Sequence, residues 1–413
     1  MLQMGNQAPP TRPLPGAHGG SAQGPSPLQA VLGALRVGEA VTFRRTAAEL
    51  PARRPDFLTR PRLRRMVVTS TGSLVPERAL IEDARRGEDH AFGRLVGPYW
   101  PELHAHCYRL LGSVHDADDA LQDALLRAWR GLPGFDSRRP LRPWLYKIAT
   151  NVCLDAIARR PRRWLPVDYG PPADPGGDEP RQPPAEPVWV EPYPDGQLGL
   201  ADGYASPEAH YEQREAVELA FIAALQHLPG QQRAVLILRD VLGFSAKEVA
   251  GALDTTPASV HSALQRARQT IRARLPGQSQ QEAMRSLGDN RLRDLAQRLT
   301  DALEAGQVEV IVAMLAEDAS FAMPPYPGWC RGRDALSRSW LMPAGSPAGL
   351  RYLPTRANGQ LALGAYKLDP QQRSYLPVAL DVLSWQGTRI AAITAFRTPE
   401  IFPRFGLPEQ LPP

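Results

Sequence analysis

Apolar positions recur with helical spacing over two separate stretches of the chain and alternate in strand fashion over a third. From Pro76 to about Arg160 the pattern predicts four amphipathic helices, Glu77–Arg86, His90–Leu111, Asp116–Arg130 and Pro143–Arg160, parted by short polar or Gly/Pro breaks. A second helical block runs from Pro207 to Leu275. The third region, about Glu282 to Pro399, opens helically through Leu292, Leu295, Ala296, Leu299, Ala302 and Leu303. It then alternates over Leu350–Arg356, Leu361–Leu368, Pro377–Trp385 and Arg389–Arg397, with Asn358-Gly359 and Gln386-Gly387 placed as hairpin turns. Two all-α domains followed by an α+β domain are expected.

Composition sharpens the boundaries. The 43 prolines among 413 residues are clustered, which marks linkers and tails. Residues 1–75, rich in Pro, Gly, Ala and Arg, read as a disordered extension, and Met66 competes with Met1 as the start. The proline-rich stretch 164–207 shows no apolar face and reads as a flexible tether. The expected division is therefore 76–163, a linker 164–207, 208–276, 282–399, and a tail 400–413. A net charge of +5 permits a nucleic-acid partner without establishing one. Cys107, Cys153 and Cys330 have no CxxC spacing, so neither a disulfide framework nor a zinc site is expected, and a reducing cytoplasm suits the chain. No run approaches the ~18 apolar residues of a membrane span. Neither cofactor nor metal is called for.

Three segments carry candidate chemistry. In Asp116-Ala-Asp-Asp-Ala-Leu-Gln-Asp, Asp116, Asp119 and Asp123 fall at i, i+3 and i+7 and share one helix face opposite Leu121, Leu125, Ala128 and Trp129. Charge alone favours a solvated acidic helix; the alternative is a docking surface for a basic partner. In the loop Phe135-Asp-Ser-Arg-Arg-Pro-Leu-Arg-Pro-Trp144, aromatic ends with interleaved arginines can hold unstacked bases, or the rings can be core anchors. The helix after it carries Lys147, Asn151 and Asp155 on one face and ends in Arg159-Arg-Pro-Arg-Arg163, suited to phosphates. In the second block, Ser245 and Glu248 form a capping box, and Asp254-Thr-Thr-Pro257 turns into a second helix, a helix-turn-helix pattern. Ser259, His261, Ser262, Gln265 and Arg266 would face base edges, with Arg268, Arg272 and Arg274 continuing the basic face. A helical hairpin for protein contacts is the competing reading. No GxGxxG, Walker, HExxH or GxSxG motif is present, and His104 and His106 do not converge on one face.

Taken in order, these blocks resemble regions two and four of the extracytoplasmic-function, or group IV, sigma-70 family. The resemblance implies that Asp116, Asp119, Gln122 and Asp123 dock on core RNA polymerase (β′ and β subunits). It implies that Phe135–Arg163 opens and reads the minus-ten element, with Arg138, Arg139, Arg142, Trp144, Lys147, Asn151, Arg159, Arg160 and Arg163 on promoter DNA. The helix-turn-helix would read the minus-thirty-five element through Ser259, His261, Ser262, Gln265, Arg266 and Arg268. Ala263 departs from the polar residue common there. Residues 282–399 resemble the SnoaL-like, cone-shaped α+β barrel, which implies regulation or ligand sensing. A small-molecule isomerase in that domain, and a dimeric helix-turn-helix repressor, are the rival readings. The sequence leaves an anti-sigma partner open.

Overall fold

The computed structural model describes residues 66–68, 74–173, 189–198, 213–338 and 349–413. Most of the expected N-terminal extension and much of the tether lie outside these. A small antiparallel hairpin, β1 (Met66–Val68) with β2 (Leu74–Pro76), stands inside the stretch expected to be disordered.

The first helical domain comprises α1 (Glu77–Arg85), α2 (Asp89–Val96), α3 (Trp100–Leu111), α4 (Val114–Gly131) and α5 (Leu141–Arg159). The single helix expected over His90–Leu111 is broken, because Gly97-Pro98 forces a 3-10 turn, Gly97–Tyr99. Ser113 caps α4 by accepting from the Asp116 amide at 3.0 Å. The second domain holds α6 (Leu219–Gln226), α7 (Gly230–Leu236) continued by a π turn to Val241, α8 (Ala246–Ala252) and α9 (Pro257–Arg272). The Ser245–Glu248 capping box forms with both reciprocal bonds. Val249, Ala250, Val260 and Leu264 are buried between α8 and α9, as the helix-turn-helix pattern requires.

In the third domain α10 (Gln280–Leu287), α11 (Asp289–Glu304) and α12 (Val308–Met314) precede a mixed six-stranded sheet. Its strands are β3 (Leu315–Ala322), β4 (Trp329–Arg331), β5 (Leu350–Ala357), β6 (Gln360–Asp369), β7 (Ser374–Gln386) and β8 (Arg389–Phe396), ordered β4-β3-β8-β7-β6-β5. β3 and β8 run parallel and every other pair antiparallel. Asn358-Gly359 forms the β5–β6 turn; the β7–β8 turn is Gly387-Thr388, one residue later than expected. The helices cover the face bearing Leu363, Ala365, Leu383 and Trp385, as the expected α+β arrangement requires.

Period-two alternation sends Ala362, Tyr366, Leu380 and Val382 to the opposite face. The expected tail packs there: Pro399–Phe405 coils, and Ile401, Phe402, Phe405 and Leu407 are buried. Gly364 makes this approach possible, since a Cβ on it would lie 2.6 Å from Leu407. The tail is thus part of the domain.

The tether also differs from its reading. Trp189, Val190, Tyr193 and Leu198 are buried, Trp164 bridges to Trp189, and Pro194 bridges to Ala357. Apolar side chains of both helical domains, the tether and the outer sheet face share one continuous core. Asn358, fully buried with φ 54°, joins them. Its side-chain oxygen accepts from Tyr193 N, and its amide group donates to Tyr108 Oη and the Val217 carbonyl, each at 2.8 Å.

Candidate nucleic-acid interface

α4 presents Asp119 and Asp123 to solvent, with Gln122 half-buried between them. Asp116 falls on the same side of the helix but is covered. It is 9% exposed and ion-paired with Arg163 at 2.6 Å and with Arg160, because the chain leaving α5 folds back over the start of α4. Asp118, absent from the sequence reading, accepts from His104 Nε2 at 3.0 Å and pairs with Arg404 of the C-terminal domain at 2.8 Å. Burial pushes its carboxyl up, but His104 and Arg404 outweigh that and hold it below the usual range.

The loop before α5 packs Phe135 against Trp144 with ring centroids 4.7 Å apart and planes tilted by 38°. Phe135 is core, whereas Trp144 is half-buried and lines a cavity of about 330 Å³ with Arg127, Ile148 and Asn151. Arg138 and Arg139 are exposed and gathered by Asp136. Arg142 is engaged elsewhere: it pairs with Glu102 at 2.9 Å and lies over the Tyr146 and Phe244 rings. Lys147 is likewise engaged, donating to the Gly251 carbonyl at 2.9 Å and to Asp254 at 2.8 Å in the helix-turn-helix. Arg159 is exposed, Arg160 is held by Asp116, and Arg163 is buried at 8% exposure.

On α9, Ser259, His261, Ser262, Gln265 and Arg266 are all exposed along one helix. Thr256 caps that helix through the Ser259 amide. Arg268 is exposed but paired with Asp240 at 2.7 Å. Ala263 packs against the core, so a small apolar residue fits its place. The acidic face therefore lies on α4, the aromatic cavity between the end of α4 and α5, and the exposed helix-turn-helix residues on α9, all in one packed body.

Profiles of known families cover the two helical domains: sigma-70 region 2 matches residues 95–163 and sigma-70 region 4 matches residues 212–271. The ECF RNA polymerase sigma factor SigG of Mycobacterium tuberculosis is 41% identical over 332 residues, spanning 80% of this chain and 86% of SigG. The chain belongs to the ECF RNA polymerase sigma factors. As a sigma factor it directs RNA polymerase to promoters and initiates transcription. SigW of Bacillus subtilis is 29% identical over 47% of this chain and 94% of its own length. Among solved structures, M. tuberculosis SigJ covers 75% of this chain and 97% of its own at 21% identity, with a TM-score of 0.49. No helix among the described residues is long and apolar enough to cross a membrane, and none of their His, Cys, Asp or Glu side chains group as a metal site.

Sequence reasoning missed Asp118, Arg404, Tyr193 and the bonding role of Asn358. The aromatic pair Trp189 and Tyr193, set in a proline-rich stretch, was the available signal that the tether has an anchored segment.

Proposed function

We propose that this cytoplasmic sigma factor grips core polymerase through Asp119, Gln122 and Asp123, reads promoter DNA through the Trp144–Asn151 cavity and α9, and rests in a packed arrangement maintained by its C-terminal domain. One observation carries the last part. Lys147, on the helix assigned to the minus-ten element, spends its ammonium on Gly251 and Asp254 of the helix-turn-helix. The same interface packs Tyr146 on Phe244 and seats Gly230 against Leu154 and Ile157. Two modules locked this closely cannot lie on separate promoter elements, so engagement requires them to part. The C-terminal domain opposes parting through Asn358 and through Arg404 on the docking helix.

The domain is then a regulator rather than an isomerase. Its interior carboxylate, Asp381, sits cross-strand from Leu363 and Ala395 with Tyr352 and Arg397 near enough to act on it electrostatically, and no histidine follows His261. Run-off transcription with purified core enzyme tests the reading, comparing the full chain with one ending at Gln278. Removing the domain is expected to raise transcript yield at equal protein concentration about fivefold or more, the size of a modest population shift. Equal or lower yield would remove the resting-state assignment.

Joint replacement of Asp119 and Asp123 by Ala is expected to weaken core-polymerase binding about tenfold while leaving the melting temperature in place, because both side chains are exposed. Unchanged affinity in a pull-down titration at low salt would move the docking face elsewhere.

A further inference from the structure

Five arginines line a cleft of about 450 Å³ where α5 ends: Arg159, Arg160, Arg162 and Arg163 from region 2, and Arg233 from α7 of region 4. Carboxylates answer only part of this charge. Asp116 binds Arg160 and Arg163, and Glu191 lies 3.6 Å from Arg163. Arg233 is 3% exposed and has no carboxylate partner among the described residues; it donates to the carbonyls of Leu110, Gln226 and Leu228 and to Gln226 Oε1. Its Nε is buried without any partner. Burial, then the nearby Arg162 charge, pulls the guanidinium down to about 10. The neighbouring His227, paired with Asp168 at 3.4 Å, is also lowered, by burial and by cations that include Arg274 and Arg162. A buried guanidinium answered only by neutral acceptors, beside further cations, is an expensive arrangement unless an anion offsets its charge.

The geometry points to a site for a compact oligophosphate, of the size of pyrophosphate or a nucleoside diphosphate, held between region 2 and region 4. The volume falls in the range of small-molecule pockets. Guanidinium forks match phosphate oxygens in pairs, and two linked phosphates carry about three to four negative charges, against the excess left once Asp116 and Glu191 are counted. Arg163 and Arg233 are buried in the walls and act on an occupant through their charge, whereas Arg159, Arg160 and Arg162 are exposed and can reach its oxygens. Since the two walls belong to different regions, the occupant binds only while they are together and so favours the packed arrangement.

Isothermal titration calorimetry on the full chain, at ionic strength held constant with sodium chloride, tests the site with inorganic pyrophosphate and with ADP. Saturable binding is expected, weakened about tenfold or more by Arg162→Ala and unaffected by Arg293→Ala, an exposed arginine on α11. ADP binding tighter than pyrophosphate would mark a nucleotide as the ligand, and the reverse an inorganic one; either supports the site. Heat that does not saturate, or equal affinity in Arg162→Ala, would overturn it. So would a single-stranded oligonucleotide that binds through Arg162 and is not displaced by either phosphate, since the cleft would then be nucleic-acid surface. None of these outcomes depends on polymerase, so failure here leaves the transcription reading standing.

Discussion

Replacing Asn358 with alanine is expected to lower the stability of the packed chain by about 3 kcal/mol and to loosen all three domains together. The side chain satisfies Tyr193 N–H and the Val217 carbonyl, both buried, and donates to Tyr108 Oη. Each buried group left unpaired costs about 1–3 kcal/mol. Tyr108 keeps its own bond to the Glu191 carbonyl at 2.8 Å and adds little to the loss. The backbone contributes as well: φ is 54° at this residue, a conformation asparagine tolerates better than alanine. Asn358→Gly separates the two effects, because glycine relieves the backbone while still removing the three side-chain bonds. Denaturant midpoints, with limited proteolysis of residues 189–198 as the local readout, check this. A loss under about 1 kcal/mol in both variants would make the junction a passive contact.

Asp381→Asn is expected to stabilise the C-terminal domain at pH 8 and to flatten its pH dependence. Asp381 is 5% exposed, and burial pushes its carboxyl up to about 7, with Arg397 pulling only weakly the other way. The folded state therefore holds this proton through a range in which the unfolded chain has released it. Stability falls as pH rises from about 4 to about 7 and stays low above that. Ionising the group in place costs at most about 4 kcal/mol by this linkage. Glu218, pushed up to about 7 by burial although it accepts the Gln280 and Gln281 amides, adds a loss of the same sign. Asp118 and Glu191 act oppositely: both are held low, so their contribution disappears on acidification below about 4. Melting curves at pH 5.5 and pH 8 should show wild type more stable at the lower pH and the variant with about half of that difference, the remainder belonging to Glu218. A wild type more stable at pH 8 would contradict the burial of Asp381.

The sequence carried the elements well where periodicity ran long. α4, the capping box of α8 and strands β5 to β8 lie within a few residues of expectation, whereas β3, as long as β5, was not among the expected alternating stretches. Asn358-Gly359 was legible as a turn from its residue types alone. What the Asn358 side chain does was not legible, since its partners lie 141, 165 and 250 residues away. Asp116 shows the same limit. Helical spacing tells which residues share a face, and Asp116 does fall with Asp119 and Asp123, but it says nothing of Arg163 folding back 47 residues later. Lys147 and Arg142 were read as free cations for the same reason. The tether was misread because proline content hid the few apolar residues that anchor it.

The 250-residue separation between Tyr108 and Asn358 also orders events during synthesis. At ~5–20 residues per second, roughly 10–50 s pass between the emergence of one and the other from the ribosome. In the last part of that interval, after Arg272 has emerged and before Asn358 follows, the nascent chain possesses its polymerase-facing and DNA-facing modules but not the hairpin that fastens them, so every new molecule begins life unlatched.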